Sequence, residues 1–494
     1  MKYRAVVEQG GSLMQVEDFL DQIMLRIKDW LDINLSDKVS PGESPSEVRR
    51  SVRLPPPLQG EGLQGVLQGV DEFLRHSVKT HHPHFMNPLW GGFSPAAFAG
   101  EVISALAQTS MYTYELAPLA SQIESALITR MLEMVGFATG TGVLTSGGSN
   151  GNLMGVLCAR QKHNPSSLNL GINGGGYAVY VSDVSHYSLR MVVNVLGIGY
   201  DNLVKVSSDE AGRMRPQRLL EEIDISIREG KIPLCIIATS GTTVAGAFDP
   251  LAEIAEIAHS NDIWLHVDAA WGGAALFSSR YSHLMDGVEL ADSICWDAHK
   301  MMGVPLVCSA FLIKDEPLLR QVCSHGKVAH YLLHPQTEAL DLGNISLQCG
   351  RRNDSLKLWL AWKEKGDAGW GRMVEEYVGL ADYLQSLVED HPRLEMISSR
   401  VWSNVCFRYS PGVFTEHSNE MYDLNEMNEL NVRIRNELYL GGSFMVSRSN
   451  IGECVVLRAV ICNPAVSTES LEKFVAEVVS LGDDIISRPE VDGY

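Results

Sequence analysis

Two stretches of this chain hold residue types that can do chemistry together. His266-Val267-Asp268-Ala269-Ala270-Trp271-Gly272-Gly273 follows an apolar run and carries a carboxylate at its end. Ser293-Ile294-Cys295-Trp296-Asp297-Ala298-His299-Lys300-Met301-Met302 presents a lysine beside a histidine. A lysine amine holds an aldehyde as a Schiff base, and a carboxylate keeps a pyridine nitrogen protonated; pyridoxal 5'-phosphate (PLP) chemistry requires both. Asp268 closes the run Ile263–Val267, so it carries a desolvation cost unless it meets a cation. A pyridinium N–H is such a cation, and charge pairing raises its pKa. Lys300, desolvated and beside another cationic group, is expected to have a lowered pKa and to act as the amine. Taken singly, Asp268 reads equally as a capping residue and Lys300 as a surface lysine.

Three further segments gain meaning from their order along the chain. Thr145-Ser146-Gly147-Gly148-Ser149-Asn150-Gly151-Asn152 sits between an apolar run and a helical one, where small residues and free N–H groups suit a phosphate. His186 follows the run Tyr177–Ser182, and an imidazole there can stack on a flat ring; alone it reads as a hydrogen-bonded surface histidine. Thr239-Ser240-Gly241-Thr242-Thr243 is a second hydroxyl-rich turn, a type that also caps helices. Phosphate turn, histidine, hydroxyl turn, Asp268 and Lys300 follow one another in the order a PLP fold requires. His81-His82-Pro83-His84 has no carboxylate or cysteine at ligand spacing, so no metal is expected.

These residues need elements to position them. Between about 140 and 315, short apolar runs (Tyr177–Ser182, Leu203–Val206, Pro233–Thr239, Ile263–Asp268, Ser293–Trp296, Ala310–Ile313) alternate with helical stretches (Gln217–Glu229, Leu251–Ser260). That alternation predicts an α/β fold with a mostly parallel sheet, helices on both faces and ligands at the carboxyl ends of the strands. Beyond about 350, Ser355–Lys365 and Gly371–Glu389 read as helices, Ser403–Tyr409 and Glu453–Val460 as strands, and Ser467–Leu481 as a last helix. Residues 12–34 have the spacing of an amphipathic helix, whose apolar face is covered either by a partner subunit or by the chain's own core. Ser36 to Gly62 reads as a linker. The expected division is an N-terminal helical arm and linker (1–75), a large cofactor-binding domain (76–350) and a small α+β domain (351–494).

Composition limits the function classes. The net charge of −20 disfavours nucleic acid and anionic membranes as partners, which attract basic surfaces. Nine cysteines stand singly with no CxxC pair, the pattern of a reduced, cytoplasmic protein. The start of the sequence, MKYRAVVEQGG, lacks the apolar run of a signal peptide, and no apolar run is long enough to span a membrane.

The chain resembles the group II PLP-dependent decarboxylases, from about His81 to the final helix. Met111-Tyr112-Thr113-Tyr114-Glu115-Leu116-Ala117-Pro118 and Gln348-Cys349-Gly350-Arg351-Arg352-Asn353-Asp354 are similar to the branch that acts on glutamate and cysteine sulfinate. The resemblance implies an aspartate-aminotransferase-like (fold type I) homodimer with active sites at the interface. It implies Lys300 as the cofactor lysine, Asp268 as partner of the ring nitrogen and His186 as the stacking base. Gly148, Ser149, Thr243, Ala270 and His299 are then further cofactor contacts. Arg458, in Leu457-Arg458-Ala459-Val460, pairs with a substrate carboxylate, and Trp90 and Ser110 adjoin the substrate. The implied reaction is α-decarboxylation of an amino acid, acidic by the flanking motifs.

Three departures from the family pattern bear on that reading. Asp297 stands where the family usually has Asn. Pro88 and Trp90 stand where the glutamate enzymes have Gln and Ser, which admits an aromatic or diamino acid as an alternative substrate. Leu333-His334-Pro335-Gln336-Thr337-Glu338-Ala339-Leu340 lacks the tyrosine that in relatives protonates the product carbanion. Either His334 or Tyr331 substitutes, or the carbanion reacts with oxygen and yields an aldehyde. A cofactor-binding but catalytically idle partner in an assembly is the alternative from another class.

Overall fold

The computed structural model describes residues 14–172, 176–323, 340–411 and 422–487. Twelve strands are described: β1 (Phe85–Met86), β2 (Thr141–Thr145), β3 (Tyr177–Ser182), β4 (Leu203–Val206), β5 (Ile232–Thr239), β6 (Trp264–Asp268), β7 (Ser293–Asp297), β8 (Ser309–Ile313), β9 (Leu394–Met396), β10 (Asn404–Tyr409), β11 (Met445–Ile451) and β12 (Cys454–Val460).

Seven of them form the main sheet, in the order β2-β8-β7-β6-β5-β3-β4. The pairs from β7 through β4 are parallel, and β8 runs antiparallel to both β2 and β7. Every residue of β3, β6, β7 and β8 is buried, which explains why these segments read as unbroken apolar runs rather than alternating ones. Alternate residues still go to opposite faces. Val179, Val181, Ile237 and Phe311 join the core under the helices Gly148–His163 and Ser188–Val195. Tyr180, Ile236, Val267 and Ile294 join a larger core on the other face, with Leu219 and Ile254 of the crossover helices.

The second sheet has the order β1-β11-β12-β10-β9. Its outer strand β1 pairs parallel with β11, so Phe85–Met86 joins this sheet although it precedes every strand of the main one. The two helices expected at 355–365 and 371–389 run on as one, Ser355–Glu389, broken in backbone geometry at Gly366 (φ 60°). The segment expected to be a linker contains a helix, Pro45–Ser51. Ser44 accepts from the Glu47 N–H while the Glu47 side chain accepts from the Ser44 N–H, and Pro45 needs no donor there. The N-terminal helix Val16–Leu31 buries no residue, and its contact with the helix Gly62–Arg75 includes the Arg26–Asp71 ion pair at 2.7 Å. Among the described residues no helix is long and apolar enough to cross a membrane.

Candidate active site

The parallel strands all end on one side of the sheet, and the last residues of β5, β6 and β7 line one cavity of about 190 Å³. β6 ends on Asp268 and β7 on Asp297; the tight turn after β7 brings His299 and Lys300 to the same cavity. β5 contributes Thr239, the loop after β3 contributes His186, and the helix Gly148–His163 points its N-terminus in with Gly147, Gly148 and Ser149. A larger cavity of about 750 Å³, lined by Glu364, Arg372 and Tyr377 among others, holds none of these residues.

Asp268 is buried and fixed from several directions. Asn152 Nδ2 donates to Oδ2 at 2.8 Å, the Ala270 N–H to Oδ1 at 3.1 Å, and the Cys295 thiol to Oδ1 at 3.5 Å. Burial alone raises its pKa; the charge of Lys300 and the Asn152 bond outweigh that and hold it below the usual carboxylate value. Behind it, His266 Nε2 lies 3.0 Å from Asn152 Oδ1 and Nδ1 lies 2.8 Å from Ser293 Oγ. His186 is partly buried, and desolvation lowers its pKa, so it is neutral at pH 7. The Ser188 N–H donates to its Nδ1 at 3.3 Å, which places the imidazole proton on Nε2.

Lys300 corrects one expectation. Burial lowers its pKa, but Asp297, with Nζ 3.3 Å from its Oδ2, and Asp268 reverse the balance and hold it above the usual lysine value. Before the cofactor is attached the amine is therefore an ammonium. The neighbour seen in the sequence was His299, whose own pKa is lowered by desolvation, whereas the charges that matter arrive from two strand ends.

The small-residue turn is a cradle in space as well as in sequence. Gly147 has φ 124°, and a Cβ on Gly148 would sit 2.9 Å from an Asp297 carboxylate oxygen and 3.1 Å from the Ala270 methyl. Two buried hydroxyls of the second turn, Thr239 Oγ1 and Ser240 Oγ, have no hydrogen-bond partner among the described residues. These residues suit PLP on chemical grounds: a helix N-terminus for a phosphate, a buried carboxylate for a pyridinium, and an amine for an aldehyde.

The pyridoxal-dependent decarboxylase conserved domain matches residues 45–410. The chain belongs to the pyridoxal-dependent decarboxylases. It is 36% identical to a human cysteine sulfinic acid decarboxylase over 458 residues, 92% of each chain. It is 33% identical to the mouse acidic amino acid decarboxylase GADL1 over 471 residues, 94% of this chain and 84% of that one. The crystal structure of mouse CSAD in apo form superposes with a TM-score of 0.90 at 33% identity, covering 94% of this chain and 98% of that one. The fold is therefore the fold type I architecture expected from the resemblance, and the cofactor is PLP.

Of the site residues read from the sequence of this decarboxylase, Gly148, Ser149, His186, Thr243, Asp268, Ala270, His299 and Lys300 line the one cavity. Arg458, on β12, stands just behind: Nη1 donates to the Thr243 carbonyl at 2.8 Å and Nε to Ser447 Oγ at 2.8 Å. Trp90 and Ser110 lie outside the described lining. The Trp90 ring packs 5.8 Å from Phe85, and Ser110 makes an antiparallel bridge with Arg352. Tyr331 and His334 fall outside the described residues. Asn152 and Thr239 line the cavity without having been assigned a role from sequence. Asn152 had a signal, lying four residues after Gly148 on the same helix face.

Proposed function

We propose that this decarboxylase removes the α-carboxylate of a small acidic L-amino acid (aspartate, glutamate or cysteine sulfinate) and releases CO2 and the amine. Arg458 is the observation behind a carboxylate contact to the substrate, and the relatives narrow that substrate to an acidic one. Arg458 is buried beside the cavity, and among the described residues its partners are a carbonyl and a hydroxyl, with no carboxylate. A buried guanidinium without a counter-ion is costly unless an anion arrives, and a substrate carboxylate pairs with it in a bidentate manner. The names of the relatives at 36% and 33% identity support the same substrate class.

PLP, when bound, supplies an aldehyde that captures an amino group and a ring that accepts the electron pair as CO2 departs. Lys300 is the amine that carries it. Asp268, held by Asn152 and Ala270, keeps the ring nitrogen protonated. His186 offers a flat, uncharged face. The N–H groups at Gly148 and Ser149 hold the phosphate, with Thr243, Ala270 and His299 completing the cofactor contacts. The chain works as a cytoplasmic homodimer with the active sites at the interface; exposed Leu20, Met24 and Leu25 on the first helix and Phe73 on the third support the dimer, and nine free cysteines support the compartment.

Incubating the PLP-loaded protein with a pool of amino acids, and identifying amine, aldehyde and peroxide by mass spectrometry and a peroxide assay, tests the reading. The amine of an acidic amino acid is the expected product. An aromatic or diamino product overturns the substrate class, and peroxide in proportion to CO2 replaces simple decarboxylation with oxidative deamination. Light scattering is expected to give twice the 54.3 kDa chain mass.

A further inference from the structure

Asp297 is the one carboxylate in direct contact with the amine of Lys300 among the described residues. It is 2% exposed at the end of β7, and its Oδ2 lies 3.3 Å from Nζ. Ser309 on the neighbouring strand β8 donates its hydroxyl to Oδ1, and His299 Nε2 lies 3.6 Å from Oδ2. The carboxylate also abuts Gly148, so it stands between the amine and the first turn of the helix that would hold the phosphate. We infer that Asp297 is a positioning residue: pinned by Ser309, it pairs with Lys300 Nζ and holds the amine between Asp268 and the phosphate turn.

The other groups facing Nζ do not provide this. Asp268 is committed to Asn152, Ala270 and Cys295. The Cys295 thiol is pushed up by burial and stays neutral. His186 and His299 are both lowered by desolvation and are neutral at pH 7. Asp297 is therefore the fixed negative charge within contact distance. An Asn at this position would keep the hydrogen bond to Ser309 and the shape but lose that charge. The consequence is a protonated lysine–PLP linkage that survives to higher pH than with a neutral side chain, together with an apoenzyme lysine that must lose a proton held by two carboxylates before it attacks the aldehyde.

This rests on Lys300 being the cofactor lysine, and the experiment separates the two claims. Holoenzyme is reduced with borohydride and peptide-mapped, and unreduced holoenzyme is titrated by the long-wavelength absorption of the protonated linkage. Asp297→Asn is expected to move that midpoint down by about one pH unit or more, a tenfold change in proton affinity. Ser309→Ala is expected to move it in the same direction by less, and it serves where Asp297→Asn does not fold. Loading of apoenzyme with PLP at a fixed pH below the lysine pKa is expected to be faster in Asp297→Asn, and to a smaller extent in Ser309→Ala, because more of the amine is then free base. A midpoint unmoved in a variant that melts like the parent and carries its label on Lys300 overturns the positioning role. A label on another residue overturns the cofactor assignment instead.

Discussion

Asp268 owes its setting to a polar chain that runs in one direction. Trp264 Nε1 donates to Ser293 Oγ at 3.0 Å, the Ser293 hydroxyl to His266 Nδ1, His266 Nε2–H to the Asn152 carbonyl oxygen, and the Asn152 amide to Asp268. Each group can donate in only one sense, so the network fixes the tautomer of His266 and the orientation of the Asn152 amide. The carboxylate is thus aimed before any cofactor arrives, which is how a buried charge contributes to a transition state without reorganising. Asp268→Ala is expected to lower kcat by about 100-fold or more, while PLP content, read from absorbance after dialysis, falls far less because Lys300 and the phosphate turn remain. Equal losses in kcat and PLP content would remove the division of labour between Asp268 and Lys300.

The helix Gly148–His163 can reach the strand ends because one of its faces is made of glycine. A Cβ at Gly151 would lie 2.6 Å from the Cys295 Cβ, and one at Gly155 would lie 2.5 Å from the His266 ring. The missing side chains let the helix lie low on the sheet, so its first N–H groups meet the cavity and Asn152 meets Asp268. Gly155→Ala gains at most about 1 kcal/mol of helix propensity and loses roughly 1–3 kcal/mol to overpacking. The net expectation is a lower thermal midpoint for the apoenzyme together with weaker PLP binding by fluorescence titration, since lifting the helix moves the phosphate turn. A variant that binds PLP as tightly as the parent would show that the close approach at Gly155 does not set the height of the turn.

At the scale of the molecule the two sheets are joined at the site. Asn404 on β10 accepts from Trp271 Nε1 at 2.8 Å and donates to the Val244 carbonyl at 3.0 Å, while Arg458 on β12 holds the Thr243 carbonyl. The smaller sheet therefore grips the hydroxyl turn that lines the cavity. The buried histidines make this assembly acid-sensitive. Desolvation lowers His266 from 6.5 to about 4, and His82, beside the β1 segment, likewise to about 4. A depressed folded-state pKa means that the unfolded chain binds the proton first. The stability is fully present above about pH 6.5 and is lost as pH falls toward 4, worth roughly 3 kcal/mol for His266. Two effects act in the opposite sense. One is relief of the net charge of −20, which is screened beyond about 8–10 Å at physiological salt. The other is the buried Asp249 carboxyl, which desolvation pushes up to about 7 so that the folded chain takes its proton first. Urea midpoints are expected to fall between pH 7 and pH 5. A flat or rising profile would show that charge relief and the proton taken up by Asp249 outweigh the histidines.

The apolar runs were enough to place β3 to β8 within a residue or so, because strands buried on both faces leave a continuous hydrophobic signal. The order of phosphate turn, histidine, hydroxyl turn, Asp268 and Lys300 was legible because each lies just beyond such a run. The antiparallel direction of β8 and the pairing of β1 with β11 were not, since strand direction and partner depend on contacts far apart in the chain. Local chemistry also went unread where composition disguised it, as in the Ser44–Glu47 capping box within a Pro- and Ser-rich stretch. The sequence by itself named residues whose types suit the chemistry, and most of them meet at one cavity, since type and position along the strand ends are legible locally. Only the tertiary structure decided the charge on Lys300, because the sign of its pKa shift comes from Asp268 and Asp297, which stand on different strands and meet only when the sheet has formed.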